Sequence, residues 1–196
     1  MPDTNCFRYG SYIIHNNEEQ RKQYKEAAIH FFQKIYKEAE NKKAKIIVSS
    51  EVIQELKVQS YTLKDKENKV IKNLVSSFDV EETEVPQEIE YLLREFSDYV
   101  RDEYSLLLAT YSIKSDYLRT SDSRIFIHAY LNDATIATTN IKDFYLYPLF
   151  LGNADINVLY DILSETYTHL PTEVCKVLQE DSKFQMLLQK MRGLKY

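Results

Sequence analysis

The sequence contains few of the residues that break helices, and it has no long apolar run. Only three glycines and four prolines occur in 196 residues. Together with abundant Lys, Glu, Leu and Ile, this scarcity favours a mainly helical protein. No apolar stretch approaches membrane-spanning length, and the polar start of the chain lacks the pattern of a secretory signal. We therefore expect a cytoplasmic protein that does not enter a membrane.

Residues that bind soft metals are also scarce. Cys6 and Cys175 stand alone, without metal-ligand spacing, so we expect both to be reduced thiols. The histidines are scattered, and no two of them have the spacing of a metal site. We interpret them as packing or surface residues: His15, His30, His128 and His169.

The net charge of −5 is not typical of a protein that coats DNA. The charge is unevenly distributed, with 14 Lys and Arg against 10 Asp and Glu in residues 1–75, and 11 against 20 in the remainder. The cationic residues cluster in Arg21–Lys45 and Lys57–Lys72. Such clusters are usually solvated helix faces. The alternative is a modest phosphate-facing patch beside an acidic pocket.

Apolar periodicity predicts a succession of helices in a chain long enough for one domain, or one domain with an appendage. The predicted helices are Glu18–Asn41, Glu51–Ser60, one from Pro86 to about Val100, Asp102–Lys114, one from Ser121 or Asp122, Asn153–Thr166 and Thr172–Met191. Short β-branched runs predict strands at Ala44–Val48 and Ala134–Thr138. Tyr145–Phe150 is expected to be an edge strand or a packed loop, because Pro148 disfavours a central strand.

Acidic residues follow the predicted strands or begin the helices next to them. These residues are Asp3, Glu55, Asp122 and Asp143. If the strands are parallel, with the usual right-handed crossovers, the four carboxylates meet at one edge of the sheet. Hard oxygen ligands without His or Cys suit Mg²⁺ or Mn²⁺, and such ions hydrolyse phosphodiesters in many enzymes. Glu51 is an alternative to Glu55, and Asp116 to Asp122.

Four short motifs resemble, in this order, the motif series of PIN-domain nucleases, in particular VapC-like toxins. They are D-T-N at 3–5, S-S-x₄-E-L at 49–56, S-D-S-R-I at 121–125 and I-A-T-T-N-x₂-D-F at 136–144. The resemblance implies an α/β, PIN-like three-layer fold, with a short parallel sheet of four or five strands flanked by many helices. This domain would span residues 1–150, and residues 151–196 would be a helical extension packed on it.

The resemblance also implies roles for individual residues. Asp3, Glu55, Asp122 and Asp143 would be the catalytic acids that bind Mg²⁺ or Mn²⁺. Four further residues would position the substrate or support the acids: Asn5, Glu51, Thr139 and Asn140. The implied activity is Mg²⁺-dependent endoribonuclease cleavage of single-stranded or loop RNA by the toxin of a type II toxin–antitoxin pair. An antitoxin protein would then be a partner, and a homodimer could form through apolar helices such as Glu18–Asn41.

The chain departs from the family pattern in two places. Only Met1 and Pro2 precede Asp3, and Ile141 occupies the position at which many members carry the fourth acid. These departures keep open a catalytically inactive PIN-fold module that binds RNA or protein. A structure-specific DNA nuclease is a third interpretation, less favoured because the sequence has neither a helix-hairpin-helix motif nor a basic DNA track.

Overall fold

The computed structural model describes residues 1–14, 18–81, 84–113, 117–150 and 157–194, which form ten helices and five short strands. The helices are α1 (Thr4–Ser11), α2 (Glu19–Glu40), α3 (Ser50–Gln59), α4 (Asp65–Val75), α5 (Gln87–Thr110), α6 (Thr120–Leu131), α7 (Ile141–Phe144), α8 (Tyr147–Phe150), α9 (Thr172–Glu180) and α10 (Ser182–Gly193). The strands are β1 (Ile47–Ser49), β2 (Asp79–Glu81), β3 (Ile136–Thr138), β4 (Leu159–Asp161) and β5 (Thr166–Tyr167).

The described strands form two small sheets. β1 and β2 are parallel, with Val48 opposite Val80. The other sheet has the order β3-β4-β5. The prediction of a helix-rich α/β protein is confirmed, whereas a PIN-like fold with one sheet of four or five strands is not confirmed. Across the described parts of the chain, no helix has both the length and the apolarity needed to cross a membrane.

The contacts within the chain define two compact units. The first contains Met1–Thr83, Ile136–Thr139 and Tyr160–Thr166, and the second contains Glu84–Thr135, Asn140–Leu159 and Tyr167–Tyr196. Residues on both sides of the predicted division at residue 150 therefore belong to the second unit. The first unit is discontinuous in sequence, because it combines residues 1–83 with the two short segments Ile136–Thr139 and Tyr160–Thr166.

Aromatic packing forms much of the core of the first unit. Ala28, Phe31 and Phe32 are buried on one face of α2, as the spacing of its apolar residues predicts. The ring of Phe32 contacts that of Phe7 at 5.2 Å between centroids and that of Phe78 at 5.9 Å. α1 packs against α2 and α4. The predicted helix Glu18–Asn41 is thus confirmed as α2; the Asn16 and Asn17 that precede it lie outside the described residues.

A second aromatic cluster lies in the other unit, where α5 packs against α6 and α10. The Phe96 ring lies 4.5 Å from that of Phe150 and 4.7 Å from that of Phe184, between centroids. Phe126 contacts Phe150 edge-on at 5.0 Å. All four rings are almost fully buried, so they contribute a large share of the apolar surface removed from water in this unit.

α5 is a single helix, and the predicted break before Asp102 is wrong. Phe96, Val100 and Leu108 are all buried, and they lie on one helical face across the predicted break. No glycine or proline occurs within Gln87–Thr110 to end the helix. Asp102 suggested a helix start, but it lies within α5 and pairs with Arg101. Residues before and after the predicted break are thus buried on the same face, and the helix continues through Asp102.

The predictions for the last third of the chain need three corrections. Where described, the predicted helix Asn153–Thr166 is instead β4, a turn and the start of β5, because this segment pairs with β3 in a sheet. In the turn, the side chain of Asp161 accepts a hydrogen bond from Leu163 N at 2.9 Å. Tyr145–Phe150 is neither a strand nor only a loop, since Tyr147–Phe150 form the buried one-turn helix α8. Thr172–Met191 is divided at Asp181, which ends α9 and caps α10.

Asp181 accepts three hydrogen bonds at the start of α10. Its carboxylate receives the backbone N–H of Phe184 at 2.8 Å, the hydroxyl of Tyr99 at 2.6 Å and the hydroxyl of Tyr104. Burial alone would raise the pKa of Asp181, but the Tyr104, Tyr99 and backbone hydrogen bonds lower it to about 2. One carboxylate thus connects α5 to the cap of α10.

We expect Asp181→Ala to lower the free energy of unfolding by about 1–2 kcal/mol at neutral pH, because the cap is lost. Asp181→Asn, which keeps a capping oxygen, should cost less. Since the folded pKa lies below the unfolded value, the contribution of Asp181 is present above pH 4 and is lost as the pH falls towards 2. Urea denaturation between pH 2 and pH 7 measures both effects, and equal stability of Asp181→Ala and wild type at pH 7 would contradict them.

Candidate functional site

Asp3 is a buried carboxylate at the start of α1. Its side chain is the N-cap of that helix, with Oδ1 accepting from Cys6 N at 3.0 Å. The second oxygen, Oδ2, accepts from the hydroxyl of Thr138 at 2.5 Å. Asp3 is only 4% exposed. Both oxygens therefore have a hydrogen-bond partner in an environment largely closed to water.

Backbone pairing between the start of the chain and β3 places Asp3 in this position. Pro2 forms a parallel bridge with Ala137. Asp3 N donates to Ala137 O at 2.9 Å, and Ala137 N donates to Met1 O at 2.9 Å. The thiol of Cys6, one of two buried free cysteines, also donates to Ala137 O, at 3.2 Å. An extended segment thus ends at Asp3, and the first helix begins directly after it.

Glu55 is brought to Asp3 by the neighbouring residue, Thr4. Ser49 caps α3 by accepting from Glu51 N at 3.2 Å, and Glu55 lies half-buried on that helix. The hydroxyl of Thr4 donates to Oε2 of Glu55. The structure therefore brings together two of the four predicted acids, one that caps α1 and one on α3, both in the first unit.

The surroundings of Asp3 disfavour its ionised form. Burial raises the pKa of Asp3, and the negative charge of Glu55 raises it further. The hydrogen bonds from Thr138 and Cys6 act in the opposite direction but do not cancel the effect of burial. A carboxyl group with a raised pKa beside a second carboxylate is typical of functional sites, although buried structural carboxyls share this property.

The other predicted site residues of the fourth motif also contact one another. Asn140 is the N-cap residue of α7, and its Nδ2 donates to Oδ2 of Asp143. Asp143 N also donates to Asn140 O at 3.2 Å. Asp143 is half-buried and follows β3, as predicted, although β3 begins at Ile136 rather than at Ala134. These two residues therefore form a compact polar pair within the second unit.

Asp122 lies within the first turn of α6 and does not cap it. The helix begins at Thr120 and Arg119 is the N-cap residue, so the predicted cap at Ser121 or Asp122 is wrong by two to three residues. The first turn of a helix favours a carboxylate there electrostatically. At the end of α6, Asn132 and Asp133 form a turn, as their residue types favour, and Asp133 adopts the left-handed φ of 48° that Asp tolerates.

The remaining predicted residues lie on the same elements. Asn5 belongs to α1, Glu51 to the first turn of α3, and Thr139 directly follows β3. All three are half-buried. Asp116 falls outside the described residues. The roles assigned to these residues stay predictions, and the hydroxyl that contacts Asp3 is that of Thr138.

The donor set of Asp3 and Glu55 is compatible with a hard divalent cation. Within the parts of the chain that the structure describes, no three His, Cys, Asp or Glu side chains are arranged to hold a metal ion. Each carboxylate oxygen has more than one lone pair, so an oxygen that accepts a hydrogen bond can still coordinate a cation. Asp3 and Glu55 supply the oxygen ligands that Mg²⁺ and Mn²⁺ prefer.

The sequence reasoning missed several polar groups next to this pair. Thr4 and Thr138 orient the two acids. Arg8 and Gln59 follow Thr4 and Glu55 by four residues, on two helices that contact each other. Among the described residues, Arg8 Nε and Gln59 Oε1 are buried and have no hydrogen-bond partner. The sequence did carry one signal for these residues. The four-residue spacing places Arg8 one helical turn after Thr4, and Gln59 one turn after Glu55.

Comparison with known proteins adds no relative. No protein-family model matches the chain, and neither a curated protein nor a solved structure matches it.

We expect Asp3→Asn to be more stable than wild type at neutral pH when metal ions are chelated. The raised pKa means that the contribution of Asp3 to stability is fully present below its unfolded pKa and is lost as the pH rises through the folded value. Each unit of that shift is equivalent to about 1.4 kcal/mol. The amide of Asn has no charge to desolvate, so its advantage should vanish on acidification.

Denaturation of both proteins in EDTA across pH 3–8 measures this difference. Asp3→Ala is the matched comparison, because it removes the charge together with the helix cap. An Asp3→Asn protein less stable than wild type at pH 7 would contradict the expected cost of the buried charge.

Proposed function

We propose that the protein is a Mg²⁺- or Mn²⁺-dependent endoribonuclease with a PIN-like fold, in which residues 1–150 form the nuclease domain and residues 151–196 an extension that ends in helices α9 and α10. Two independent features support the proposal. The four motifs occur in the order of the PIN series, and Asp3 and Glu55, from the first two of them, are joined through Thr4. The proximity of Asp3 and Glu55 is the central observation, because the residue next to Asp3, Thr4, is hydrogen-bonded to Glu55, which lies 51 positions further along the chain.

In this proposal Asp3 and Glu55 bind the metal, and the motif series assigns Asp122 and Asp143 to the same role. A bound Mg²⁺ would supply an activated water and neutralise charge on the phosphodiester. The chain's own groups prepare the ligands. Thr4 orients Glu55, while Thr138 and Cys6 N orient Asp3. The burial of Asp3 limits competition from water.

The same proposal includes the biological setting implied by the resemblance. The protein would be the toxin of a type II pair, acting on cytoplasmic single-stranded or loop RNA, and an antitoxin protein would bind and block it. A homodimer through α2 is part of this proposal. Ile29, 39% exposed on that helix, gives it an apolar position at the surface.

A second candidate is a PIN-fold module that binds RNA or protein without cutting. The hydrogen bonding of Asp3 favours it, because Cys6 N and Thr138 engage both carboxylate oxygens, as expected of a structural cap. Ile141 at the position of the fourth acid points in the same direction. Titration with Mn²⁺ separates the candidates, since a metal-dependent nuclease requires binding that Asp3→Asn weakens.

We expect Asp3→Asn and Glu55→Gln each to reduce Mg²⁺-dependent cleavage of a single-stranded RNA by about 100-fold or more, because each removes a ligand charge of a metal that contributes several kcal/mol. Glu26→Gln is the control, since Glu26 is an exposed acid on α2 of the same unit. Cleavage at the wild-type rate by Asp3→Asn, with wild-type folding by circular dichroism, would refute the assigned role.

Asp122→Asn and Asp143→Asn test the assignments that depend on the motif series. We expect losses of at least about tenfold in cleavage, with unfolding midpoints close to wild type, because both acids are only partly buried. Glu95→Gln, an exposed acid on α5, is the control in their unit. If Asp143→Asn cleaves normally while Asp122→Asn does not, Asp143 does not replace the acid missing at Ile141.

A further inference from the structure

A cavity of about 310 Å³ lies within the second unit, beside α7. Its floor is apolar and consists of Ile113, Ile141, Tyr145 and Leu170. Tyr145 and Leu170 are each only 6% exposed, whereas Ile113 and Ile141 are half-buried. The volume is within the range of pockets that bind small organic groups.

The rim of the cavity is polar and carries one permanent cation. The exposed Lys142 and His169 line it, together with the hydroxyl groups of Ser112 and Thr168. His169 Nε2 lies 3.0 Å from Asn157 Oδ1, a hydrogen bond that orients the imidazole ring. An apolar floor below hydrogen-bonding groups and an ammonium group is complementary to a planar ring that carries a phosphate.

The rim is held by a defined turn at the end of α5. Ser112 adopts a left-handed φ of 58°, and Ile113 N donates to Leu108 O at 3.0 Å. This pattern of a left-handed residue and a returning N–H closes the C-terminus of a helix. Ser112 and Ile113 therefore line the cavity from a backbone segment that this hydrogen bond holds in place.

The cavity adjoins the fourth motif. Ile141 and Lys142 line it, and they lie between Asn140 and Asp143, the hydrogen-bonded pair. Lys142 and Tyr145 also line a smaller cavity together with Asp143. Ile141 thus has a structural use at the position where the family pattern has an acid, because it forms part of an apolar floor next to Asp143.

We propose that this cavity binds one unpaired nucleobase of the RNA substrate together with its phosphate. The base packs on the apolar floor beside Tyr145 and Ile141, and the Lys142 ammonium group pairs with the phosphate. Proteins recognise single-stranded RNA in this way, with splayed bases packed on aromatic and apolar surfaces. The inference rests on the proposed nuclease function and adds to it a subsite for a single-stranded substrate.

The test measures binding of the full-length protein to fluorescent oligoribonucleotides in EDTA, where metal-dependent cleavage does not occur. One oligonucleotide is intact and another lacks a single central base. Wild type should bind the intact strand about tenfold more tightly, because packing of the base is lost in the other. Ile141→Trp, which fills the cavity and keeps Lys142, should remove this preference.

Lys142→Met tests the phosphate contact. It should weaken binding of both strands and reduce the slope of log affinity against log salt by about 1. Lys176→Met is the matched control, since Lys176 is an exposed lysine on α9, and its slope should equal that of wild type. An unchanged slope in Lys142→Met, or a retained base preference in folded Ile141→Trp, would overturn the inference.

Competition with nucleoside 5′-monophosphates distinguishes the two sources of the ligand. If a free nucleotide displaces the strand at concentrations near the dissociation constant of the strand, the cavity is a nucleotide site and the RNA assignment is wrong. The binding assays do not depend on cleavage. If wild type cleaves RNA with Mg²⁺ but binds both strands equally, only the subsite is overturned. If wild type prefers the intact strand but does not cleave RNA with Mg²⁺, only the nuclease is overturned.

Discussion

The carboxylate of Asp3 connects two parts of the chain that are 135 residues apart. One of its oxygens fixes the first turn of α1 and the other receives the hydroxyl of Thr138 at the end of β3. A buried charge is unfavourable unless hydrogen bonds compensate its loss of water. Only when β3 lies beside the start of the chain does Asp3 obtain both partners. The position of α1, and through Thr4 that of Glu55, depends on this condition.

The same arrangement lowers the stability of the folded protein when both acids are ionised. Asp3 and Glu55 are close enough for their charges to interact, and burial of Asp3 strengthens the penalty. A sequence selected for stability alone would replace one of these acids by a neutral residue. Such local conflict is expected where a site must attract a cation or a substrate, and proteins retain it at the expense of stability.

The sequence predicted those elements whose structure depends on residues close together in the chain. α2 and α3 follow from periodic apolar residues, with Ser49 as the cap of α3, and the turn at Asn132 and Asp133 consists of residue types that favour turns. The break before Asp102 and the helix over 153–166 were wrong. In the first case burial on one face of α5 decided the structure, and in the second the chain paired as strands, which depends on residues distant in sequence.

The candidate site shows the same limit. The motif order suggested that Asp3 and Glu55 would lie together, and the structure joins them through Thr4. The contribution of Thr138 to Asp3, and the floor that Ile141 gives to a cavity, are tertiary contacts with no signature in the neighbouring sequence. The metal, the RNA and the antitoxin depend on the resemblance and stay predictions.

The discontinuity of the first unit has a consequence for synthesis on the ribosome. Thr138 follows Asp3 by 135 residues, so at about 5–20 residues per second it is added roughly 7 to 27 seconds later. During that interval Pro2 and Asp3 have no β3 to pair with, although the aromatic residues of α1, α2 and the segment through Phe78 are already present. Pro2 and Asp3 are therefore among the last residues of their unit to reach their final contacts, although they are made long before β3.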